Sequence, residues 1–244
     1  MNKKVLFTLF IAAVISSPAL GQAARLQGTQ TQSAQKPLAK PTKDSARAAN
    51  LSNAASINED LIGLALEGKA DKVSEKIIAL RAAMPALRPL LDAKAYETVS
   101  IQLGEMEQAS AKDGALAAAL VSVEFYRVLE MAMDPVSRRA PLEVAMIDYV
   151  GFKLSVLTKM AAPDWQLISA AARESDTSWA TLAPGLRDAS LRNLVSAIQE
   201  GLAGAVQLQD LNGVKFAAKL QLEVVDVLEG YFNRSGPPGK AAAN

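Results

Sequence analysis

The sequence predicts an all-α protein of two tandem antiparallel four-helix units, or one larger bundle made from both, and three observations carry that prediction. The first is an internal repeat at an offset of 99 residues. Pro85-Ala86-Leu87-Arg88 falls on Pro184-Gly185-Leu186-Arg187, Asp113-Gly114 on Asn212-Gly213, and Val128-Leu129-Glu130 on Val227-Leu228-Glu229, with no gap from Pro85 to Glu130. A repeat of one supersecondary unit sets architecture before any motif is read. The second is composition: the body is rich in Ala and Leu and aromatic residues make up only 5% of the chain, which favours helix on intrinsic propensity. The third is spacing. Ala118, Val121, Phe125, Val128 and Ala132 follow a 3-4-3-4 pattern, and so do Ala217, Leu220, Val224, Val227 and Tyr231. Each set predicts one apolar helix stripe.

The elements follow in order. Met1 to Ala23 reads as a signal peptide: Lys3 and Lys4, an apolar run from Val5 to Ile15, and a small-residue cleavage site at Gly21-x-Ala23. The run is shorter than the roughly 20 apolar residues that span a bilayer, and no later segment is apolar enough to do so. With no Cys beside the site, a lipid anchor is not expected. These features predict export to the periplasm, with outright secretion as the variant.

Residues 24–48 are rich in Gln, Thr, Ser, Lys and Pro, and are expected to be a disordered linker, because they offer too little apolar surface to offset ordering entropy. Residues 49–134 form the first helical repeat, with helices near 50–67, 70–84, 90–110 and 114–133. Residues 135–141 form a connector with two Pro and a basic pair. Residues 142–233 form the second repeat, with helices near 140–160, 164–182, 188–209 and 213–232. Residues 234–244 read as a disordered tail. Asp113 and Asn212 are expected N-caps, and Pro85 and Pro184 are expected at helix boundaries.

Charge is unevenly placed. Residues 25–47 hold five basic residues against Asp44, whereas residues 48–233 hold 17 Lys and Arg against 24 Asp and Glu. An acidic body with basic arms argues against nucleic acid as a partner. The arms read as soluble tethers.

The missing residue types exclude several chemistries. There is no His and no Cys, which removes the commonest general base, zinc sites, iron–sulfur clusters and thiol catalysis. Ser33-Ala34-Gln35-Lys36 matches S-x-x-K but lies in the linker without its Ser-Asp-Asn or Lys-Thr-Gly partners. No phosphate loop, EF-hand or dinucleotide fingerprint is present. The layout is similar to periplasmic four-helix bundles such as the b-type cytochromes, whose haem-binding His this chain lacks, so no function carries over. No cofactor and no catalytic residue are expected.

Four features are candidates for binding. Arg88 and Arg187 occupy matched positions; they read either as anion ligands or as one repeated bridge to Glu124 or Glu130 and to Glu223 or Glu229. Glu223, Asp226 and Glu229 form an acidic i,i+3 stripe where the first half has Glu124, Arg127 and Glu130. Arg127 is expected to pair with both neighbours, and the second-half stripe, if it holds anything, would hold a divalent cation such as calcium. Trp165 and Trp179 belong to an aromatic set concentrated in the second half, which lines a pocket between helices or fills the core. Met84, Met106, Met131, Met133, Met146 and Met160 read as core filler. The leading expectation is an exported binding or interaction protein without catalytic activity, its partner an unidentified protein or small molecule. A carboxylate-based cation-binding protein is the alternative, and an enzyme the third.

Overall fold

The computed structural model describes residues 43–138 and 140–235. These form eight α helices and, among the described residues, no strand. The helices are α1 (Lys43–Leu66), α2 (Ala70–Leu87), α3 (Ala93–Lys112), α4 (Ala115–Ala132), α5 (Leu142–Leu157), α6 (Trp165–Leu182), α7 (Ala189–Gln207) and α8 (Leu211–Ser235), with a 3₁₀ turn at Ala183–Gly185. The protein is all-α, and no described helix is long and apolar enough to cross a membrane.

The expected signal peptide, residues 24–42 of the expected linker, and residues 236–244 of the expected tail lie outside the described residues. Residues 43–48 correct the linker boundary: they are the opening turns of α1. Ala46, Ala48 and Ala49 are strong helix formers, so the helix extends past its last large apolar residue.

Short connections turn each helix back on its predecessor. α1 packs on α2 and α4, and α3 on the same two. α5 packs on α6 and α8, and α7 on the same two. α4 packs on α5, and α1 also touches α5. One apolar core runs through α1 to α5 and takes in Ile168, Ala171, Leu202, Ala205, Val214, Ala217 and Ala218. A smaller core around Trp179, Val195, Val225, Leu228 and Phe232 fills the other end of the α5–α8 group.

The helix ends correct several expectations. Asp113 ends α3, its N–H donating to the Ala109 carbonyl at 2.8 Å. The N-cap of α4 is Gly114, whose φ of 89° lies in the left-handed region that favours glycine. Asn212 lies inside α8; the cap there is Asp210, which accepts from the Asn212 N–H at 3.0 Å. Asp92, Asp164 and Asp188 cap α3, α6 and α7 in the same way. Gly213 serves space instead of a turn, since a Cβ there would lie 2.8 Å from Asp210 Oδ2 and 2.9 Å from Ala205 Cβ. Pro85 does not end α2, which continues to the buried Leu87. One turn from the end, the missing N–H costs a single hydrogen bond, while burial of Leu87 favours continuing. Pro184 sits in the 3₁₀ turn.

The apolar stripes are broader than the spacing suggests. Ala118, Phe125, Ala217 and Val224 are buried, but Val227 is 48% exposed. On α4 the buried face also takes in Ala119, Ser122, Tyr126 and Leu129, because α1, α3 and α5 all cover this helix. Two polar links cross the interior. Ser122 Oγ donates to Asn58 Oδ1 at 2.7 Å, and Asn58 Nδ2 donates to the Ala54 carbonyl at 2.8 Å. Gln221 Nε2 donates to the Ile147 carbonyl at 2.7 Å and to Ser175 Oγ at 2.8 Å.

Helices α5 and α8 approach closely at Gly151, where a Cβ would meet Leu222 Cδ2 at 2.6 Å. Gly151→Ile is expected to cost about 2 kcal/mol through overpacking. Gly104→Ala, with open space around it, is expected to add up to about 1 kcal/mol. Urea unfolding of the two variants checks both signs. In the same assay Ser122→Ala is expected to cost about 1–3 kcal/mol, because it strands the buried amide oxygen of Asn58.

Candidate functional site

Helix α4 carries a charged residue on its buried face. Glu130 follows Ala119, Ser122, Val123, Tyr126 and Leu129 along that face and is only 9% exposed. Its carboxylate takes part in none of the hydrogen bonds or ion pairs among the described residues; the bonded atom of Glu130 is its backbone carbonyl, which accepts from Arg138 Nη2 at 2.5 Å. Asp148 of α5 sits one turn beyond the buried Val144 and accepts a 3.0 Å hydrogen bond from the Tyr126 hydroxyl. Glu59 of α1 is half-buried on the same side.

Glu59, Tyr126 and Glu130 line a cavity of about 790 Å³ whose walls come from α1, α4, α5, α8 and the α4–α5 connector, and Asp148 is tied to that wall through Tyr126. Its charged and polar lining is Glu59, Tyr126, Glu130, Arg138 and Glu229, with Ser52, Ser56 and Ser137. Its apolar lining is Ala48, Ala49, Ala55, Ala140, Ala145, Met133 and Pro141. Arg138 Nε is buried without a partner.

The electrostatics follow from burial. Loss of water pushes the Asp148 carboxyl up to about 8; the charges of Glu59, Glu229 and Glu130 push the same way, and the Tyr126 hydroxyl opposes them. Glu130 is pushed up to about 7, first by burial and then by Glu59 and Glu229, against the pull of Arg138. Burial also raises Glu59, with Glu229, Asp60 and Asp226 adding to it, and the Tyr126 phenol is held well above its usual range for the same primary reason. Glu130, and Asp148 behind Tyr126, therefore hold their protons to higher pH than free carboxyl groups do.

No family model, no curated protein and no solved structure matches this chain. The site rests on its own geometry.

The residues singled out from the sequence do not converge. Leu87 and Leu186 are both buried, while Arg88 and Arg187 beside them are exposed. Arg88 lies over the Tyr96 ring at 5.3 Å, and the Arg187 N–H donates to the Tyr231 hydroxyl at 3.1 Å. The expected bridge from Arg88 to Glu124 is not formed. Glu124 accepts instead from Lys153 Nζ at 2.6 Å and the Tyr149 hydroxyl at 2.8 Å. Arg127 does not hold both of its helix neighbours either: it pairs with Glu174 of α6 at 3.0 Å and lies over Tyr149. Helix packing offers these long side chains partners on α5 and α6 that a single-helix pattern does not show.

Trp165 and Trp179 stand 14 residues apart on α6, about 21 Å along its axis, and share no pocket. Trp165 edges a depression of about 410 Å³ with Arg173 and Gln209. Trp179 is buried, its Nε1 donating to Ser196 Oγ at 3.1 Å. Glu223, Asp226 and Glu229 lie on an exposed side of α8, and among the described residues no three carboxylates are grouped to hold a metal ion. Of the three, Glu229 reaches the cavity wall. Sequence reasoning missed Glu59 and Asp148. The available signal was a carboxylate at a core position, as at Glu130 in the 119–122–126–130 row.

The raised carboxyls set the sign of the pH dependence. A group that binds its proton more tightly folded than unfolded stabilises the fold below its unfolded pKa, and that stability is lost as pH rises through the folded value. Stability is thus expected to fall as pH rises from about 5 to about 8.5, by on the order of 2 kcal/mol. Asp148→Asn is expected to flatten that slope in urea unfolding measured at pH 5, 7 and 8.5. An unchanged slope would show that Asp148 ionises freely.

Proposed function

We propose that this chain is an exported helical binding protein without catalytic activity, built by duplication of a four-helix unit, and that it holds a small ligand in the acidic cavity. The observation that carries the reading is the cavity itself. About 790 Å³ lies within the range of ligand sites, and Glu130, 9% exposed, lines it with a carboxylate that takes part in none of the hydrogen bonds or ion pairs among the described residues. Stripping water from that carboxylate without replacing its hydrogen bonds costs stability, so a ligand that seats there must pair with it.

Support for duplication comes from the burial pattern. Leu51, Ala54 and Leu61 of α1 recur 93 residues on as Val144, Ile147 and Leu154 of α5. Val73, Met84 and Leu87 of α2 recur 95 on as Ile168, Trp179 and Leu182 of α6. Val99, Leu103 and Met106 of α3, and Ala118, Phe125 and Leu129 of α4, recur 99 on as Ile198, Leu202, Ala205, Ala217, Val224 and Leu228. The backbone carbonyls at 54 and 147, matched at the first of these offsets, each accept from a buried side-chain amide. The cavity then lies where the two units meet.

Export rests on the basic, apolar and small-residue pattern of residues 1–23, and the periplasm is the proposed location. Binding without catalysis fits a chain with neither His nor Cys. The divalent-cation reading has no comparable support, since the exposed α8 carboxylates are not grouped for it.

Two measurements test this. N-terminal sequencing of the chain from the cell envelope is expected to begin at Ala24, and retention of Met1 would remove the export reading. Non-denaturing mass spectrometry of the same preparation is expected to show a bound molecule of on the order of a few hundred daltons, lost in Ser56→Trp, which fills the cavity from its exposed edge. A chain without any adduct would overturn the binding reading.

A further inference from the structure

Glu59 and Glu130 face one cavity from two helices, α1 and α4. Neither carboxylate takes part in a hydrogen bond or ion pair among the described residues, and Glu130 is nine-tenths buried. The neighbouring cation, Arg138, turns a guanidinium nitrogen to the backbone carbonyls of Glu130 and Met131, at 2.5 and 3.5 Å, and leaves the Glu130 carboxylate without a direct bond. The rest of the wall combines Tyr126, Glu229 and three Ser with an apolar surface of Ala, Met133 and Pro141.

The chemistry of this lining selects among ligands. An anion would meet Glu59 and Glu130 before any cation other than Arg138. A neutral apolar molecule would strip water from both carboxylates and give nothing back. A divalent metal ion draws its protein ligands from several grouped side chains, and no three metal-ligating side chains are grouped for one among the described residues. An ammonium group brings several donors and a positive charge, and an alkyl stem suits the Ala and Met surface. Resting on the cavity reading above, we propose that the cavity takes an organic cation, a protonated amine seated between Glu59 and Glu130 with its apolar stem against Ala55, Ala145 and Met133.

Proton exchange accompanies binding. The groups that face this cluster are Glu59 and Asp60 of α1, Tyr126 and Glu130 of α4, Arg138 of the connector, Asp148 of α5, and Asp226 and Glu229 of α8. Because Glu130 is held near 7, the free site carries a proton at neutral pH that an ammonium displaces. Affinity for amines then rises as pH increases from 6 to 8, while a simple alkylamine, with a pKa near 10, keeps its charge.

Isothermal titration of the full chain with hexylamine, 1-hexanol and hexanoate tests the proposal. Hexylamine alone is expected to bind, about tenfold more tightly at pH 8 than at pH 6. Titration in two buffers of different ionisation heat is expected to show proton release. Glu130→Gln and Glu59→Gln, isosteric and checked for an unchanged helical spectrum, are each expected to weaken hexylamine about tenfold or more. Binding of hexanol as tightly as hexylamine, lost in Ser56→Trp but kept in Glu130→Gln, would overturn the cation proposal and leave the cavity reading standing. Binding of none of the three probes would also overturn it, and the cavity reading would then be decided by the non-denaturing mass measurement alone.

Discussion

The packing of α4 against α5 is the constraint on which the rest of the structure depends. The chain has no Cys to cross-link it, so the two groups of four helices are held together by what this contact buries. α4 is covered by α1, α3 and α5 at once, and the main core passes through it without interruption. Phe125 and Tyr149, both fully buried, are among its largest side chains. Aromatic side chains bury the most apolar surface per residue, so they dominate such a core.

Polar chemistry is layered onto the same contact in two different ways. On one side, Glu124, Tyr149 and Lys153 form a closed set, with Lys153 Nζ 2.6 Å from Glu124 and 2.8 Å from the Tyr149 hydroxyl. Arg127 adds a bridge to α6. Donors and acceptors match there, and the set acts as a clamp. On the other side, Glu59 and Glu130 line the cavity with Asp148 behind Tyr126, and burial is the first cause that raises all three carboxyls. Folded proteins satisfy buried polar groups wherever nothing else is asked of them. The contrast across one helix pair separates a matched network from two carboxylates, Glu59 and Glu130, that the described side chains leave without hydrogen bonds.

The helices are legible because Ala, Leu and 3-4 spacing act locally, and seven of the eight both begin and end within a few residues of expectation. The site is not. The i,i+3 spacing of Glu124, Arg127 and Glu130 predicts that Arg127 pairs with both neighbours, yet the three point to three different environments: a clamp on α5, a bridge to α6 and the cavity. Which neighbour covers which face depends on tertiary packing, and a period of 3.6 residues does not encode it. Asp113 and Asn212 failed as caps for a related reason. The turn at Gly114 needs a positive φ, whereas at Gly213 the limit is space beside Ala205, so one matched dipeptide answers two different demands.

The absence of a side chain at Gly151 has a consequence for how this protein can change over time. On α1 the buried amide is carried by Asn58 itself, and Ser122 on α4 answers it. Near Gly151 the amide comes from Gln221 of α8, which reaches across to the carbonyl of Ile147, and Leu222 occupies the volume a Cβ would need. Positions 151, 221 and 222 are therefore energetically tied, and changes among them will not add. A side chain at position 151 therefore requires a smaller residue at 222, and the neighbouring Gln221 bond to Ile147 must survive the adjustment.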